Sequence, residues 1–278
     1  MKDSCKIISI VNQKGGVGKT TTAINLATAL AAVKKRILVI DLDPQGNAST
    51  GLGIDSKKRK KNIYDLISAS ASVKSYIVKT EVPGLHFITS TLELSGAEVE
   101  LVDASRREYR LRDALRNETL KHDYVLIDCP PSLGFLTLNA LTASHEVLVP
   151  LQCEFYALEG LSMLLKTIER VRRVFNPSLE IQGVVLTMAD QRNNLSEQGA
   201  ADVREHLGEK VYETVIPRNV RVSEAPSHGL PALVYDLRCA GSQAYIHLAG
   251  EVIRRERSIA CLLYTSDAAD DTPCVDLG

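Results

Sequence analysis

The sequence predicts a single α/β domain: a largely parallel twisted sheet with helices on both faces. Three observations predict it. Short, nearly continuous runs of β-branched and aliphatic residues recur from the start of the chain to about residue 216, separated by segments of helical apolar spacing. Several of these runs end in an acid or a polar loop, the edge at which open α/β sheets bind ligands. Between the first run and the first helix lies a loop holding Gly15, Gly16 and Gly18.

Ile7, Ile8, Ile10 and Val11 read as a strand covered on both faces. A helix follows from about Lys19 to Ala32, with Ile24, Ala27, Leu30 and Ala31 near helical spacing. Residues 36–41 form a second buried strand, ending in the polar loop Asp41-Leu-Asp43-Pro44-Gln45-Gly46-Asn47. Residues 53–82 show less pattern, and the basic run 57–61 reads as a solvated loop in preference to a DNA patch. Further strands are expected over 85–89, 123–128, 145–150 (closed by Pro150), 180–187 and 211–216. Helices are expected as a long charged stretch over 96–119, after Pro130-Pro131-Ser132, over 157–175, from a Ser196 cap to Gly208, and over 242–255.

With 45% hydrophobic residues in 278, the chain can fill one large core. No run approaches the ~18 apolar residues of a membrane span. The first strand begins close to Met1, so no signal peptide is expected. Six cysteines without metal spacing read as reduced thiols in a cytoplasm. Residues 261–278 stand apart, because they hold four Asp and no Lys or Arg. Residues 261–271 are similar to a translated sequencing-adapter sequence, so 261–278 is expected to be a non-native tail on a domain over 1–260. Without it the formal charge moves from −1 to −1 + 4 = +3.

The chemistry starts at the glycine loop. Glycines allow positive φ and close backbone approach, and the helix opening after them offers unpaired N–H groups and a positive dipole end. That is a phosphate cradle. Lys19 supplies a charge for the β- and γ-phosphates and Thr20 a hydroxyl for Mg²⁺. Asp128, ending the buried run Val-Leu-Ile, either helps hold Mg²⁺ or caps a strand end. Asp43 either orients an attacking water or serves ordinary Asp-Pro turn chemistry.

The run Lys14-Gly15-Gly16-Val17-Gly18-Lys19-Thr20-Thr21 resembles the deviant Walker A loop of P-loop ATPases. With Asp-Leu-Asp-Pro-Gln-Gly-Asn, Leu-Ile-Asp-Cys-Pro-Pro-Ser, the block 152–161 and the block 216–227, it is similar to the ParA/Soj partition ATPases over nearly all of residues 6–256. The resemblance implies ATP and Mg²⁺ as cofactors, with Gly15, Gly16, Val17, Gly18, Lys19, Thr20 and Thr21 in the nucleotide site. It also implies an ATP-dependent sandwich homodimer in which Lys14 reaches the partner's phosphates. Pro217 and Arg218 would line the adenine, and Arg192 and Arg221 would bind DNA without sequence preference. A ParB-type partner would stimulate hydrolysis, and the protein would act in the cytoplasm on the nucleoid, not at a membrane. Asp236-Leu-Arg-Cys239 departs from the family's usual Asp-Pro-Arg-Ser. Two rivals remain: a membrane-surface ATPase like MinD, and an iron protein using Cys129 and Cys153, which burial explains better.

Overall fold

The computed structural model describes residues 5–69, 72–116, 120–154, 157–190 and 194–270. The β-branched runs become β1 (Lys6–Ile10), β2 (Ile37–Asp41), β3 (Val78–Lys79), β4 (Leu85–Ile88), β5 (Tyr124–Asp128), β6 (Glu146–Gln152), β7 (Glu180–Ala189) and β8 (Val211–Pro217). They form one sheet in the order β3-β4-β2-β5-β1-β6-β7-β8. Every neighbouring pair is parallel except β3 and β4.

The helices are α1 (Lys19–Ala32), α2 (Asn47–Gly51), α3 (Ile63–Ala69), α4 (Ala97–Glu100), α5 (Arg110–Arg116), α6 (Phe135–Ala143), α7 (Ala157–Val174), α8 (Asn194–Leu207), α9 (Val220–Glu224), α10 (Ala232–Tyr235) and α11 (Ala240–Asp270). Alternation along the strands sorts them onto two faces. Ile7 and Val11 join a core with Leu66 of α3, Leu115 of α5, Leu141 of α6, Leu164 of α7 and Val203 of α8. Ile8 and Ile10 join the opposite core with Leu26 and Leu30 of α1 and Leu248 and Val252 of α11. Among the described residues no helix is long and apolar enough to cross a membrane.

Three expectations differ from the structure. The helix over 96–119 is broken: α4 stops at Glu100, and Arg106 takes a left-handed conformation (φ 56°) before α5 begins. The break is stabilised from α6, where buried Asn139 accepts from the Leu111 amide (3.2 Å) and donates to the Arg107 carbonyl (3.0 Å). Residues 117–119 lie outside the described residues. Pro150 does not close its strand, which continues to Gln152. β1 pairs no further than Leu148, so the missing N–H at Pro150 has no ladder position to vacate, and its carbonyl accepts from the Asn12 side chain (2.8 Å). Finally α8 starts at Asn194, so Ser196 lies inside its first turn and is not the cap.

In the basic run 57–61 the lysines are exposed, and Ser56–Lys58 form a single 3-10 turn. Arg59 is half-buried, and its guanidinium holds the Ile54 carbonyl (2.7 Å) and the Thr50 hydroxyl (3.0 Å) beside α2.

Candidate nucleotide site at the C-terminal edge of the sheet

β1 delivers the chain to the glycine loop at the C-terminal edge, where β2 and β5 also end. Gly16 (φ 74°) and Gly18 (φ 85°) are left-handed, which explains the residue type at both positions. Gly18 is the N-cap of α1 and offers no side-chain bond, so the first-turn amides are free of a capping side chain and face the loop. Val17 is buried; it anchors the loop, since its carbonyl accepts from the Thr187 hydroxyl (2.9 Å).

Lys19 is only 7% exposed, and its ammonium donates to the Lys14 carbonyl (3.0 Å). Burial lowers its pKa, opposed by the charges of Asp128, Cys129 and Asp43. A cavity of about 510 Å³ opens over the loop, lined by Gly15, Gly16, Gly18, Lys19, Thr20, Thr21, Asp43 and Met188, with α2 and residues 226–232 at its far wall.

Three acids meet beneath it. Asp41 and Asp128 are in register on adjacent strands, and both are fully buried. Asp41 accepts from the Ser49 amide (2.8 Å) and hydroxyl (2.7 Å); burial still pushes its carboxyl up to about 6. Neither oxygen of Asp128 has a hydrogen-bond partner. Burial first, then the neighbouring Asp41, raises its pKa well above the carboxylate range, against the pull of Thr20 and Lys19. Asp43 is 7% exposed. It satisfies both readings of its sequence, because one oxygen closes the turn by accepting from the Gln45 amide (3.0 Å) while the residue lines the cavity.

An orphaned carboxylate, a threonine hydroxyl and two further acids are hard oxygen donors that suit Mg²⁺. Among the described residues no three His, Cys, Asp or Glu side chains are placed to chelate a metal by themselves. A Mg²⁺ ion would therefore depend on Asp128 and Thr20 together with phosphate oxygens and water, as this ion commonly does.

The other expected site residues lie as follows. Lys14 is exposed and its ammonium pairs with Glu154, while its amide donates to the Asn12 side chain (2.9 Å). Pro217 ends β8, and the exposed Arg218 donates its amide to the Ala189 carbonyl (2.9 Å); neither is among the residues lining the cavity. Arg221 is exposed on α9, paired with Glu224 (3.1 Å) and Asp236 (3.7 Å). Arg192 lies outside the described residues. Sequence reasoning missed Asp41 as a site residue, although Val-Ile-Asp41 and Leu-Ile-Asp128 end two strands alike. It also missed Asn12 and Gln13, which tie the loop to the Pro150 and Gly160 carbonyls (2.8 and 2.9 Å).

A family model described as an AAA domain matches residues 5–181. The chromosome partitioning protein ParA of Caulobacter vibrioides is 64% identical over 256 residues, covering 91% of this chain and 95% of that protein. The sporulation initiation inhibitor protein Soj of Bacillus subtilis is 53% identical, covering 89% and 98%. Among solved structures, cobyrinic acid a,c-diamide synthase from Mycobacterium smegmatis with bound ADP and magnesium aligns with a TM-score of 0.80 at 35% identity, covering 91% of this chain and 96% of that one. With the glycine loop, the paired strand-end acids and these relatives together, the chain belongs to the ParA/Soj family of chromosome-partitioning ATPases.

Proposed function

We propose that the protein is a DNA-segregation ATPase that hydrolyses Mg-ATP as a sandwich homodimer, binds DNA without sequence preference, and is stimulated by a ParB-type partner in the cytoplasm on the nucleoid. The observation that carries the site assignment is the buried, unpartnered Asp128 carboxylate beneath a left-handed glycine loop and Lys19. Gly15, Gly16, Val17, Gly18, Lys19, Thr20 and Thr21 cradle the phosphates. Thr20 and Asp128 hold Mg²⁺, which when bound neutralises charge on the β- and γ-phosphates. Asp43, at the cavity wall, orients the attacking water. Pro217 and Arg218, after β8, serve the adenine. Lys14 leaves Glu154 to reach the partner's phosphates across the dimer. Arg192 and Arg221 contact DNA phosphates, and Arg221 exchanges carboxylate partners for them. The domain spans 1–260, and 261–278 is a non-native tail.

The test pairs two variants. Lys14→Ala should retain monomeric ATP binding and lose ATP-dependent dimerisation in sedimentation. Asp43→Ala should dimerise with ATP and stay on DNA while hydrolysis stops. Normal dimerisation of Lys14→Ala would sink the role in trans. Wild-type hydrolysis by Asp43→Ala would sink the water-positioning role.

A further inference from the structure

The basic run 57–61 is not uniform. Lys57, Lys58, Lys60 and Lys61 are exposed, but Arg59 between them is half-buried and turns inward. Its Nε and Nη2 both donate to the Ile54 carbonyl (3.0 and 2.7 Å), and Nη2 also donates to the Thr50 hydroxyl (3.0 Å). That hydroxyl donates its own proton to the Gly46 carbonyl (3.0 Å). The Gly46 amide donates to the Asp43 carbonyl (2.9 Å), and the Gln45 amide to Asp43 Oδ1 (3.0 Å). A continuous set of hydrogen bonds therefore runs from Arg59 to the turn that carries Asp43.

The inner side of α2 is fixed by other groups. Asp41 accepts from the Ser49 amide and hydroxyl, and Ser49 Oγ accepts from the Ser90 amide (3.1 Å). Arg59 holds the opposite side. Its guanidinium stands over the left-handed Gly46 (φ 61°), where an added Cβ would lie 3.0 Å from Nη1. Arg59 is itself anchored, since its amide donates to the Ser56 carbonyl (3.1 Å) and its carbonyl accepts from the buried Asn62 side chain (3.2 Å). The acceptors of its guanidinium are neutral, so balancing a carboxylate does not explain this arginine. A cap on the Ile54 carbonyl alone would need one donor. Reaching a carbonyl and a hydroxyl together takes the rigid planar fork that separates Arg from Lys.

We propose that Arg59 is a positioning residue for ATP hydrolysis: through Thr50 and Gly46 it fixes the turn that aims the Asp43 carboxylate at the attacking water. The inference rests on the reading of Asp43 as the water-positioning acid. Phosphoryl transfer depends mainly on positioning, and a misplacement of about 1 Å costs up to about 100-fold in rate. The phosphate cradle lies on a different loop, between β1 and α1, and makes none of these bonds. Arg59 therefore governs turnover and not nucleotide affinity.

The experiment measures steady-state ATP hydrolysis by the full chain for wild type, Arg59→Ala, Arg59→Lys, Thr50→Val and the combined Arg59→Ala, Thr50→Val variant. ATP-dependent dimerisation and thermal unfolding are followed beside it. Arg59→Ala should lower kcat about ten- to hundredfold with KM for ATP and dimerisation unchanged. Arg59→Lys keeps the charge but loses the fork, and should be slowed to a similar degree. Thr50→Val removes the relaying hydroxyl. The combined variant should be no slower than the slower of its two single variants, because both changes break one path. Wild-type kcat in Arg59→Ala would overturn the inference. So would full activity of Arg59→Lys, which would assign the effect to charge. Losses that multiply in the combined variant would also overturn it, by separating Arg59 from Thr50. Should Arg59→Ala fail to fold, Arg59→Lys and Thr50→Val decide through the same split between kcat and KM. A wild-type rate in Asp43→Ala would overturn the reading of Asp43 and this inference with it. An inactive Asp43→Ala beside a fully active Arg59→Ala would overturn the role of Arg59 alone.

Discussion

At Asp128 the fold accepts a desolvated carboxyl group that lacks a hydrogen bond of good geometry, its burial only partly offset by the nearby Thr20 hydroxyl and Lys19 charge. Such a group works against the folded state until a cation joins it. Asp128→Asn should therefore stabilise the nucleotide-free protein at pH 8 by about 1–2 kcal/mol, while losing the stabilisation that Mg-ATP gives wild type. Thermal melts with and without Mg-ATP would check both halves. A pair formed by half-buried His86 and buried His122 titrates in the opposite sense to Asp41. His86 Nδ1 and His122 Nε2 lie 2.8 Å apart, and burial with the His86 and Arg36 charges lowers His122 to about 4. Its folded pKa lies below the ordinary 6.5, so its contribution to stability is present above pH 6.5 and lost as pH falls toward 4, up to about 3 kcal/mol. Asp41, raised to about 6, disfavours folding above that pH and is relieved below it. The two offset each other in wild type. Against wild type, His122→Gln should accordingly be more stable at pH 5 than at pH 7.5, read from denaturant midpoints. Candidates set by short local runs were legible in the sequence: Lys19 and Thr20 by motif, Asp43 by its loop and Asp128 by its strand end. Glu154 beside Lys14, or Asn139 at the α5 break, were not, because their partners lie 140 and 28 residues away.

Among the elements, the strands, α1 and α7 were legible because β-branched runs and helical periodicity extend over enough residues to be distinctive. The short α2, α3, α10 and β3 were not, since elements of two to seven residues take their shape from neighbours. β7 shows how local that dependence is. Val147 pairs with Ile181 but Leu148 with Gly183, so Gln182 is the extra residue of a bulge. A Cβ on Gly183 would come within 2.6 Å of the Tyr212 ring and 2.8 Å of the Lys210 carbonyl. Gly183→Ala should lower stability by about 1–3 kcal/mol, several degrees in Tm, because backbone and a buried ring must both move. A wild-type Tm would show that the β7–β8 register is looser than the bulge implies.

For the whole molecule, two cores flank one sheet, and α11 closes the second through Ala244, Tyr245, Leu248, Ala249 and Val252. All of these precede residue 257. Deleting 261–278 should leave Tm within about 2 °C of the full chain and ATP binding unchanged, a shift well under 1 kcal/mol. A larger drop would show that the tail packs on the domain. The sheet's two ends are blunted in different ways. On one side stands β3, two residues long and carrying the exposed Lys79. On the other stands β8, which pairs with β7 through shifted registers and ends in Pro217. Neither offers the long regular row of free amides and carbonyls that strand addition requires. Copies of this chain brought to high local concentration therefore present no edge that would template edge-to-edge fibres.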